Sequence, residues 1–450
     1  MLTQLQKHYQ SNRGIKMYLN ETHAKKWAPV LDHPELPAIK DTYRRAVTAL
    51  VLENQERAMA EEASNYGRLF EATPVNVAPT SPSSGNIQGF DPILIGLVRR
   101  ALPNLMAYDV CGVQPMTGPT GLIFAMRSKY AAPDGTEAFY NEANTVFAGT
   151  TSDTVANAIV GLSQNVAAMT MANTGVGMTT ATAEPLNMAN MAFSIERVSV
   201  TAKTRGLQAS YTMELAQDLK AIHGLDAETE LTNILSTEIL AEINREVVRT
   251  VYATANVGIL GAATAAFNLS SSTDTSGRWQ VEKYKSLLFA IERASNKIAK
   301  DTRRGKGNLL IVSTDVASAL AMTGLLDYNS ALSNNTNLTV DDTGNTFAGT
   351  LFGRIKVYVD PYSVAGSDYV VVGYKGSSPY DAGLFYCPYV PLQMVRAIDP
   401  DNYQPKVGFK TRYGMVSNPF AGGSNAALAG ALTANTNVYY RKFAVLNVAQ

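Results

Sequence analysis

Apolar residues recur at every fourth position in DAETELTNILSTEILAEINREVVRTVYATAN, the stretch that spans residues 226–256. The recurring positions share one helix face and are Leu231, Leu235, Ile239, Ile243, Val247 and Val251. Asp226 is at the expected N-cap position of this helix. Glu228 and Glu230 follow in its first turn, where the positive end of the helix dipole favours negative charge. The stretch therefore predicts a single helix of about 30 residues, more than twice the mean length in globular proteins.

Alternating side chains predict two long strands on the N-terminal side of this helix. In GLIFAMRSKY (121–130), one face is formed by Leu122, Phe124 and Met126 and the other by Ile123, Ala125 and Arg127. In RVSVTAKTR (197–205), Val198, Val200 and Ala202 lie opposite a polar face. The two strands are predicted to pair as one long hairpin. We expect the hairpin to hold subunits together, because its strands have no obvious partner within one subunit.

Residues 131–192, between the two strands, are rich in Ala, Thr, Gly, Met and Asn and lack a strong period. Such a bias favours an inserted module, and the alternative is an irregular surface loop. After residue 256 the sequence mixes a helix, EKYKSLLFAIERASNKIAK, with four strands, GNLLIVS, GRIKVYVD, DYVVVGYK and QMVRAID. The predicted fold class is therefore α+β.

The chain changes character at Glu71. Residues 41–64 place Tyr43, Val47, Leu50 and Val51 on one stripe of an amphipathic helix, which needs a partner because a lone helix of that length is marginal in water. From Ala72 onward the sequence carries no charge until Asp91 and is rich in Pro, Ser and Gly, which predicts an extended arm.

Charge is balanced over the 450 residues, with 38 Lys and Arg against 38 Asp and Glu. A chain without excess positive charge lacks the main source of affinity for phosphate backbones, so nucleic acid is not expected as its primary ligand. The sequence shows neither a signal peptide nor an apolar run of about 18 residues, which predicts a protein made and kept in a cytoplasm. Cys111 and Cys387 are interpreted as two buried thiols in a reducing compartment.

Motifs of catalysis are missing from the sequence, which has no G-x-x-x-x-G-K-[ST], H-E-x-x-H, C-x-x-C or G-x-S-x-G pattern. Of its four histidines only His223 follows Glu71, so a multi-histidine metal site in the larger part is disfavoured. His223 lies between two helical patterns, where a local hydrogen bond is the expected role. No catalytic, cofactor-binding or metal-ligating residue is predicted, and an enzyme is disfavoured.

Long blocks of the sequence resemble the major capsid proteins of T-even-like tailed phages. The similar blocks are IQGFDPILIGLVRRALPNLMAYDVCGVQPMTGPTGLIFAMR (87–127), AKTRGLQASYTMELAQDLKAIHGLDAETELTNILSTEILAEINREVVRTVY (202–252), FAGTLFGRIKVYVDPY (347–362), VGYKGSSPYDAGLFYCPYVPL (372–392) and FKTRYGMVSNPF (409–420). The resemblance departs most at about 131–192. It implies the Hong Kong 97 capsid fold, an α+β fold with an N-terminal arm, an extended loop, a long spine helix, and peripheral and axial domains.

The resemblance also implies a division of the chain. Mapped onto this sequence, its parts are an N-terminal propeptide (1–71), the N-terminal arm (72–108), the extended loop (109–211, strands near 111–130 and 193–211, insertion at about 131–192), the peripheral domain (212–295 and 392–450) and the axial domain (296–391). In such a fold the subunits form hexamers that tile an icosahedral shell around packaged DNA, without sequence-specific binding of that DNA.

The implied partners are other copies of the chain, a vertex protein, an internal scaffold, a prohead protease and outer decorating proteins. We expect the amphipathic helix within residues 41–64 to guide assembly, by packing on the internal scaffold. The implied location is the virion capsid, after assembly in the host cytoplasm. Two alternatives stay open. One is the paralogous vertex protein, which shares the fold and forms pentamers, and the other is an enzyme of unrecognised class.

A cleavage site follows from the same resemblance. Prohead proteases of T-even-like phages cut after glutamate in a Leu/Ile-x-Glu context, and Leu69-Phe70-Glu71 followed by Ala72 fits that pattern. Leu19-Asn20-Glu21 also fits and is an alternative, secondary site. Leu240-Ala241-Glu242 fits too, but it lies inside the predicted long helix, where a protease cannot obtain an extended chain without local unfolding. A cut after Glu71 is therefore the expected maturation step.

Overall fold

The computed structural model describes residues 23–32, 39, 41–67, 99, 105–139, 147–148, 180–184, 188–261, 264–270, 279–328, 346–364, 366–378, 380–399, 404–422 and 430–448. Its helices are α1 (23–31), α2 (Thr42–Gly67), α3 (Ala107–Val110), α4 (Thr180–Ala183), α5 (Met213–Ile222), α6 (Ala227–Thr254), α7 (Gln280–Thr302) and α8 (Thr314–Met322). Its strands are β1 (Gly112–Val113), β2 (Thr120–Tyr130), β3 (Met191–Thr201), β4 (Lys203–Ser210), β5 (Ala255–Val257), β6 (Ala266–Asn268), β7 (Leu309–Ser313), β8 (Leu326–Tyr328), β9 (Thr346–Leu351), β10 (Ile355–Asp360), β11 (Tyr369–Gly373), β12 (Leu384–Ile398), β13 (Pro405–Ser417) and β14 (Asn437–Leu446). The presence of both helices and strands confirms the predicted α+β class.

Three sheets organise these strands. The first has four strands in the order β1-β12-β13-β4, and only its β1–β12 pair is parallel. The second has eight strands in the order β5-β14-β11-β7-β10-β9-β8, with β6 also paired to β14. The third is the antiparallel hairpin of β2 and β3, which confirms the predicted long hairpin.

The predicted long helix is confirmed as α6, which begins one residue after Asp226 and ends at Thr254. Asp226 is the N-cap residue, but its carboxylate accepts a hydrogen bond from the Thr229 hydroxyl at 2.9 Å instead of capping a backbone N–H. Five of the six stripe residues are buried, and Leu231 is partly exposed. The buried stripe joins the largest core cluster, where it packs towards β4, β13 and β14. The helix thereby links the two larger sheets.

A second core lies on the other face of the eight-stranded sheet. Helix α7 buries Leu287, Ile291 and Ile298 against alternate residues of β7, β10 and β11. Leu309 and Ile311 of β7 belong to the first core, and all five residues of this strand are buried. A strand that pairs in parallel and is covered on both faces usually consists of consecutive apolar residues. Strand β7 pairs in parallel with β10, and the first four residues of LLIVS are apolar.

Asp360 joins the long helix to the end of β10. Its side chain is 1% exposed and accepts hydrogen bonds from Arg245 at 2.6 Å, from the backbone N–H of Tyr362 at 3.0 Å and from the Tyr369 hydroxyl. Burial alone would raise the pKa of this carboxyl group. The hydrogen bonds and the Arg245 charge outweigh burial, so the pKa lies below its ordinary value of 3.8.

Asp360→Asn is expected to lower the free energy of unfolding by about 2 kcal/mol at neutral pH, because it removes one charge from a buried, hydrogen-bonded ion pair. The pKa of Asp360 is lowered by folding, so its stabilising effect is present above the ordinary value and is lost as the pH falls below it. Urea unfolding at neutral and acid pH should therefore show a difference that shrinks in acid. The exposed Asp218→Asn is the matched control, and equal effects of the two substitutions would contradict this role.

Two strand boundaries differ from the sequence prediction. The segment 197–205 is not one strand, because the chain leaves the hairpin at Ala202 and continues as β4, which pairs with β13 in the first sheet. Strand β12 begins at Leu384, before the predicted QMVRAID segment, and includes Pro388 and Pro391. Register shifts on both sides of Val390 accommodate these prolines, which cannot donate a ladder hydrogen bond.

The predicted amphipathic helix is confirmed as α2, but its partner is not the expected one. Val47 and Val51 are buried, and Tyr43 and Leu50 are partly buried. They lie in or against the first core, with α2 packed on β12. The expectation that the apolar stripe seeks an internal scaffold is therefore wrong, because the same subunit already covers it. Helix α1, which the sequence analysis missed, adds Trp27 and Leu31 to this core.

The predicted domain boundaries cross described elements. The boundary after residue 295 falls within α7, and the boundary after residue 391 falls within β12. Strand β14, from the stretch assigned to the peripheral domain, pairs with β11 from the stretch assigned to the axial domain. The division itself stays a prediction. In the described part of the chain, no helix combines the length and apolar content needed to cross a bilayer.

Candidate assembly surfaces

The β2–β3 hairpin turns an apolar face to solvent. Met126 lies opposite Ile195, and residues two positions away on either strand share their face. The large apolar side chains of this outer face are Leu122, Phe124, Met126, Met191, Phe193 and Ile195. Each keeps between 53% and 65% of its surface exposed. Contiguous exposed apolar side chains mark a surface that another molecule covers.

The inner face of the same hairpin packs on its own subunit. Ile123, Val198 and Val200 form a small core with Phe385, Cys387, Val416 and Met116. Gly414 is needed here, because an added Cβ would lie 2.5 Å from a methyl group of Val200. The expectation that the hairpin has no partner within one subunit is thus wrong for the inner face, whereas the outer face is exposed among the described residues.

Arg127 fixes the middle of the hairpin to the subunit. Its side chain is 2% exposed and forms ion pairs with Glu137 at 2.6 Å and Glu196 at 3.0 Å. It also donates a hydrogen bond to the Pro419 carbonyl at 2.9 Å, and its guanidinium lies over the Phe420 ring at 4.8 Å. A buried arginine is stable only when paired in this way. The ion pairs explain how a charged side chain is accommodated on the buried face.

A second polar contact holds the long helix against the first sheet. Arg205 on β4 pairs with Glu246 at 2.8 Å and with Glu242 on α6. The Tyr413 hydroxyl on β13 donates to Glu246 as well. Burial and the neighbouring Glu246 raise the pKa of this hydroxyl, so it stays protonated at physiological pH. Leu240-Ala241-Glu242 therefore lies in a helical turn held by an ion pair, as the sequence analysis expected of a protected site.

The two cysteines and His223 lie in different environments. Cys111 and Cys387 are buried free thiols, as predicted, and burial raises the pKa of each to about 12. His223 is exposed at the end of α5, where its backbone N–H bonds to the Leu219 carbonyl. Within the described ranges, no three His, Cys, Asp or Glu side chains come close enough to hold a metal ion.

The predicted cleavage residues Leu69, Phe70, Glu71 and Ala72 lie outside the described residues, as do Leu19, Asn20 and Glu21. Most of the predicted arm (72–108) and of the insertion (131–192) also lies outside them. Helix α2, which precedes the predicted cleavage residues, ends at Gly67, two residues before Leu69. The sequence analysis missed Met191, Phe193 and Ile195 as members of the outer face, although alternation in MAFSIER would have revealed them.

Comparison with known families decides the class of the protein. The family described as Major capsid protein Gp23 matches residues 87–445, which is most of the chain. The chain belongs to the Gp23 major capsid protein family. The Gp23 family is structural, and the chain is a component of a phage capsid.

Individual Gp23-family relatives cover nearly the whole chain. The major capsid protein of Salmonella phage ViI is 40% identical over 425 residues, which cover 90% of this chain and 92% of the relative. That of Serratia phage KSP90 is 37% identical over 96% of this chain and 99% of the relative. The capsid vertex protein of Enterobacteria phage T4 is 27% identical over 52% of this chain and 54% of its own length. The similarity thus places the chain with the major capsid proteins and not with the vertex proteins.

Solved structures similar to this Gp23-family chain come from other phages. The capsid of Myoviridae phage XM1 aligns with a TM-score of 0.38 and 11% identity, over 76% of this chain and 92% of that chain. A structure from Mycobacterium phage Bobi aligns with a TM-score of 0.39 and 12% identity, over 76% of this chain and 90% of that chain.

Proposed function

We propose that this chain is the hexamer-forming subunit of an icosahedral head shell, with the Hong Kong 97 arrangement. The long helix α6 is the spine, and the β2–β3 hairpin is the extended loop that lies on a neighbouring subunit. The role is mechanical, so the chain carries out no reaction of its own. Its capsomers enclose the packaged DNA without reading its sequence.

The outer face of the hairpin is the observation that carries this proposal. It presents six large apolar side chains along two strands, with Arg197 and Ser199 on the same face, and it is not covered by the described part of the subunit. The inner face and Arg127 hold the hairpin in a fixed position, so the outer face is presented as a rigid strip. A rigid apolar strip loses little conformational entropy when a neighbour covers it, which favours repeated contacts between identical subunits.

Maturation by proteolysis is part of the proposal. We assign the cut to the bond after Glu71, with residues 1–71 as the propeptide, 72–108 as the arm, 212–295 and 392–450 as the peripheral domain and 296–391 as the axial domain. The partners are the vertex protein, an internal scaffold, the prohead protease and outer decorating proteins. Assembly takes place in the host cytoplasm. The sequence pattern at Leu69-Phe70-Glu71 and the end of α2 just before it support this assignment.

Electron microscopy of the purified chain tests the proposal against an enzyme of unrecognised class. A shell subunit at raised protein concentration should form ordered sheets, tubes or shells, because each copy offers the same apolar strip to the next. A chain that remains monomeric at every concentration and turns over a substrate would contradict it. Sedimentation velocity over the same concentrations gives an independent measure of the assembled fraction.

A further inference from the structure

Helix α1 (23–31) and the first part of α2 (42–58), which together we call the N-terminal helical pair, are docked on the rest of the subunit through a buried apolar surface. Helix α1 and the first part of α2 contribute six residues to the first core: Trp27, Leu31, Val47, Ala49, Val51 and Leu52. None of them is more than 4% exposed. The opposite side of this contact comes from the body of the subunit and includes Leu105, Val113, Leu384, Tyr386 and Leu392. The helical pair is thus a constituent of the folded core.

Specific hydrogen bonds cross the same contact. Asn54 donates to the Met116 carbonyl at 2.8 Å and to the Tyr389 carbonyl at 3.2 Å, and Asn54 is itself buried. The Tyr43 hydroxyl donates to the Val113 carbonyl. These bonds satisfy backbone carbonyl groups on the body, so the body has a surface shaped for these particular side chains.

Charged groups cross the contact in both directions. Arg44 of the helical pair bonds to Asp109 at 2.5 Å and stacks over the Tyr108 ring at 5.5 Å. Arg99, from the other side of the proposed cleavage site, is 1% exposed and donates to the Leu31 carbonyl at 2.8 Å. Complementary charges give a contact its orientation and its specificity.

The helical pair also has contacts of its own that do not involve the body. Lys26 on α1 pairs with Glu53 on α2 at 2.8 Å, and the Trp27 indole donates to the same carboxylate at 3.1 Å. Arg45 pairs with Asp32 at 2.6 Å. These contacts hold the two helices to each other, so the pair can bind and leave as one unit.

One residue weakens the contact. Gln55 is fully buried, and neither atom of its amide has a hydrogen-bond partner among the described residues. A buried amide without a partner loses its hydration and gains nothing in exchange. The contact is therefore extensive but contains a feature that favours release.

We propose that the body of the subunit is a receptor for the helical pair, which stays bound noncovalently after the chain is cut, and that its departure is a separate step facilitated by Gln55. The inference rests on the proposed cut after Glu71. Maturation then has two steps. Proteolysis first breaks the covalent link between the helical pair and the body, and the core surface is exposed later, when the helical pair leaves. Until then the cut subunit keeps the packing of the precursor.

The test uses the full chain with a recognition sequence for a site-specific protease inserted between Glu71 and Ala72. After complete cutting, native mass spectrometry and size-exclusion chromatography should find the N-terminal fragment still bound to the body. Gln55→Met keeps the size of the side chain and removes the amide, so it should slow release at least tenfold. Leu52→Ala opens a gap in the core contact and should speed release at least tenfold. Arg57→Ala, on the exposed side of α2, is the matched control and should leave the rate unchanged.

Immediate and complete separation of the wild-type fragments would overturn the proposal. An unchanged or faster release from Gln55→Met would overturn the role of Gln55, and this variant does not depend on whether Leu52→Ala folds. The inserted site makes the experiment independent of the phage protease. Heads that keep residues 1–71 covalently attached would refute the cut after Glu71 and leave this measurement valid, so the two failures can be told apart.

Discussion

We expect Phe124→Thr combined with Ile195→Thr to leave the subunit folded and to prevent shell formation. Both side chains lie on the outer face of the hairpin and are more than 60% exposed, so their loss takes little from the core of one subunit. Threonine keeps the β-branched shape that suits a strand. Buried aromatic and aliphatic anchors contribute about 2 kcal/mol or more each to an interface, so the loss of both raises the concentration needed for assembly at least a hundredfold.

Two measurements are needed to check this result. Thermal unfolding of the unassembled subunit should give a melting temperature close to that of the wild type, and sedimentation or electron microscopy should find no shells at concentrations where the wild type assembles. Ser199→Thr, on the same exposed face, is the matched control and should assemble normally. Normal assembly of the double variant would show that another surface joins the subunits.

Point substitutions on the outer face test assembly more selectively than a deletion of the hairpin does. Removing residues between Met126 and Arg197 would also remove Arg127, and with it the contacts of its guanidinium to the Pro419 carbonyl and the Phe420 ring. The loss of these contacts would change the melting of the subunit itself. A shortened hairpin would therefore not separate an effect on assembly from an effect on stability.

If the cut lies after Glu71, Glu71→Ala is expected to let precursor heads assemble and to block their maturation and DNA filling. The protease then lacks the glutamate that its Leu/Ile-x-Glu pattern requires, so residues 1–71 stay on the chain. These are 71 of 450 residues, or roughly 7.6 kDa of the 48.4 kDa chain by simple proportion. A retained propeptide keeps α1 and α2 in the core of every subunit, so the precursor lattice cannot rearrange irreversibly.

Mass spectrometry of the head protein checks this result. Wild-type mature heads should contain a chain that begins at Ala72, and Glu71→Ala heads a chain that keeps residues 22–71, whether or not a secondary cut occurs after Glu21. Glu62→Ala removes a nearby glutamate outside the Leu/Ile-x-Glu pattern and should mature normally. No cut should occur after Glu242, which lies in α6 and is paired with Arg205. A mature wild-type chain that begins anywhere but Ala72 would contradict the assignment.

Local patterns in the sequence predicted the elements whose burial repeats regularly. The apolar stripe from Leu235 to Val251 predicted α6 to within two residues at each end, because one stripe on a helix can face only one core. The hairpin was predicted from alternation for the same reason. Strand β12 was predicted only in its second half, because Pro388 and Pro391 are tolerated at register shifts that only the paired strand reveals.

The choice of face and partner could not be read from these patterns. Both faces of β2 contain apolar side chains, and the charges of Arg127 and Lys129 suggest the wrong face as exposed. Glu137 and Glu196 form ion pairs with Arg127, so the face that carries this arginine can be buried. The two glutamates become neighbours of Arg127 only in the folded chain. The stripe on α2 likewise indicated burial without naming the covering surface. Side-chain periodicity specifies which residues are buried, and only tertiary structure specifies what they are buried against.

Cryo-electron microscopy of heads built from this chain together with its vertex protein tests the central claim most directly. A hexamer-forming major capsid protein should occupy the sixfold rings that tile the faces, with the outer face of each hairpin covered by the adjacent subunit. Density for this chain in the fivefold vertices alone, or hairpins whose outer faces remain in solvent throughout the shell, would contradict it.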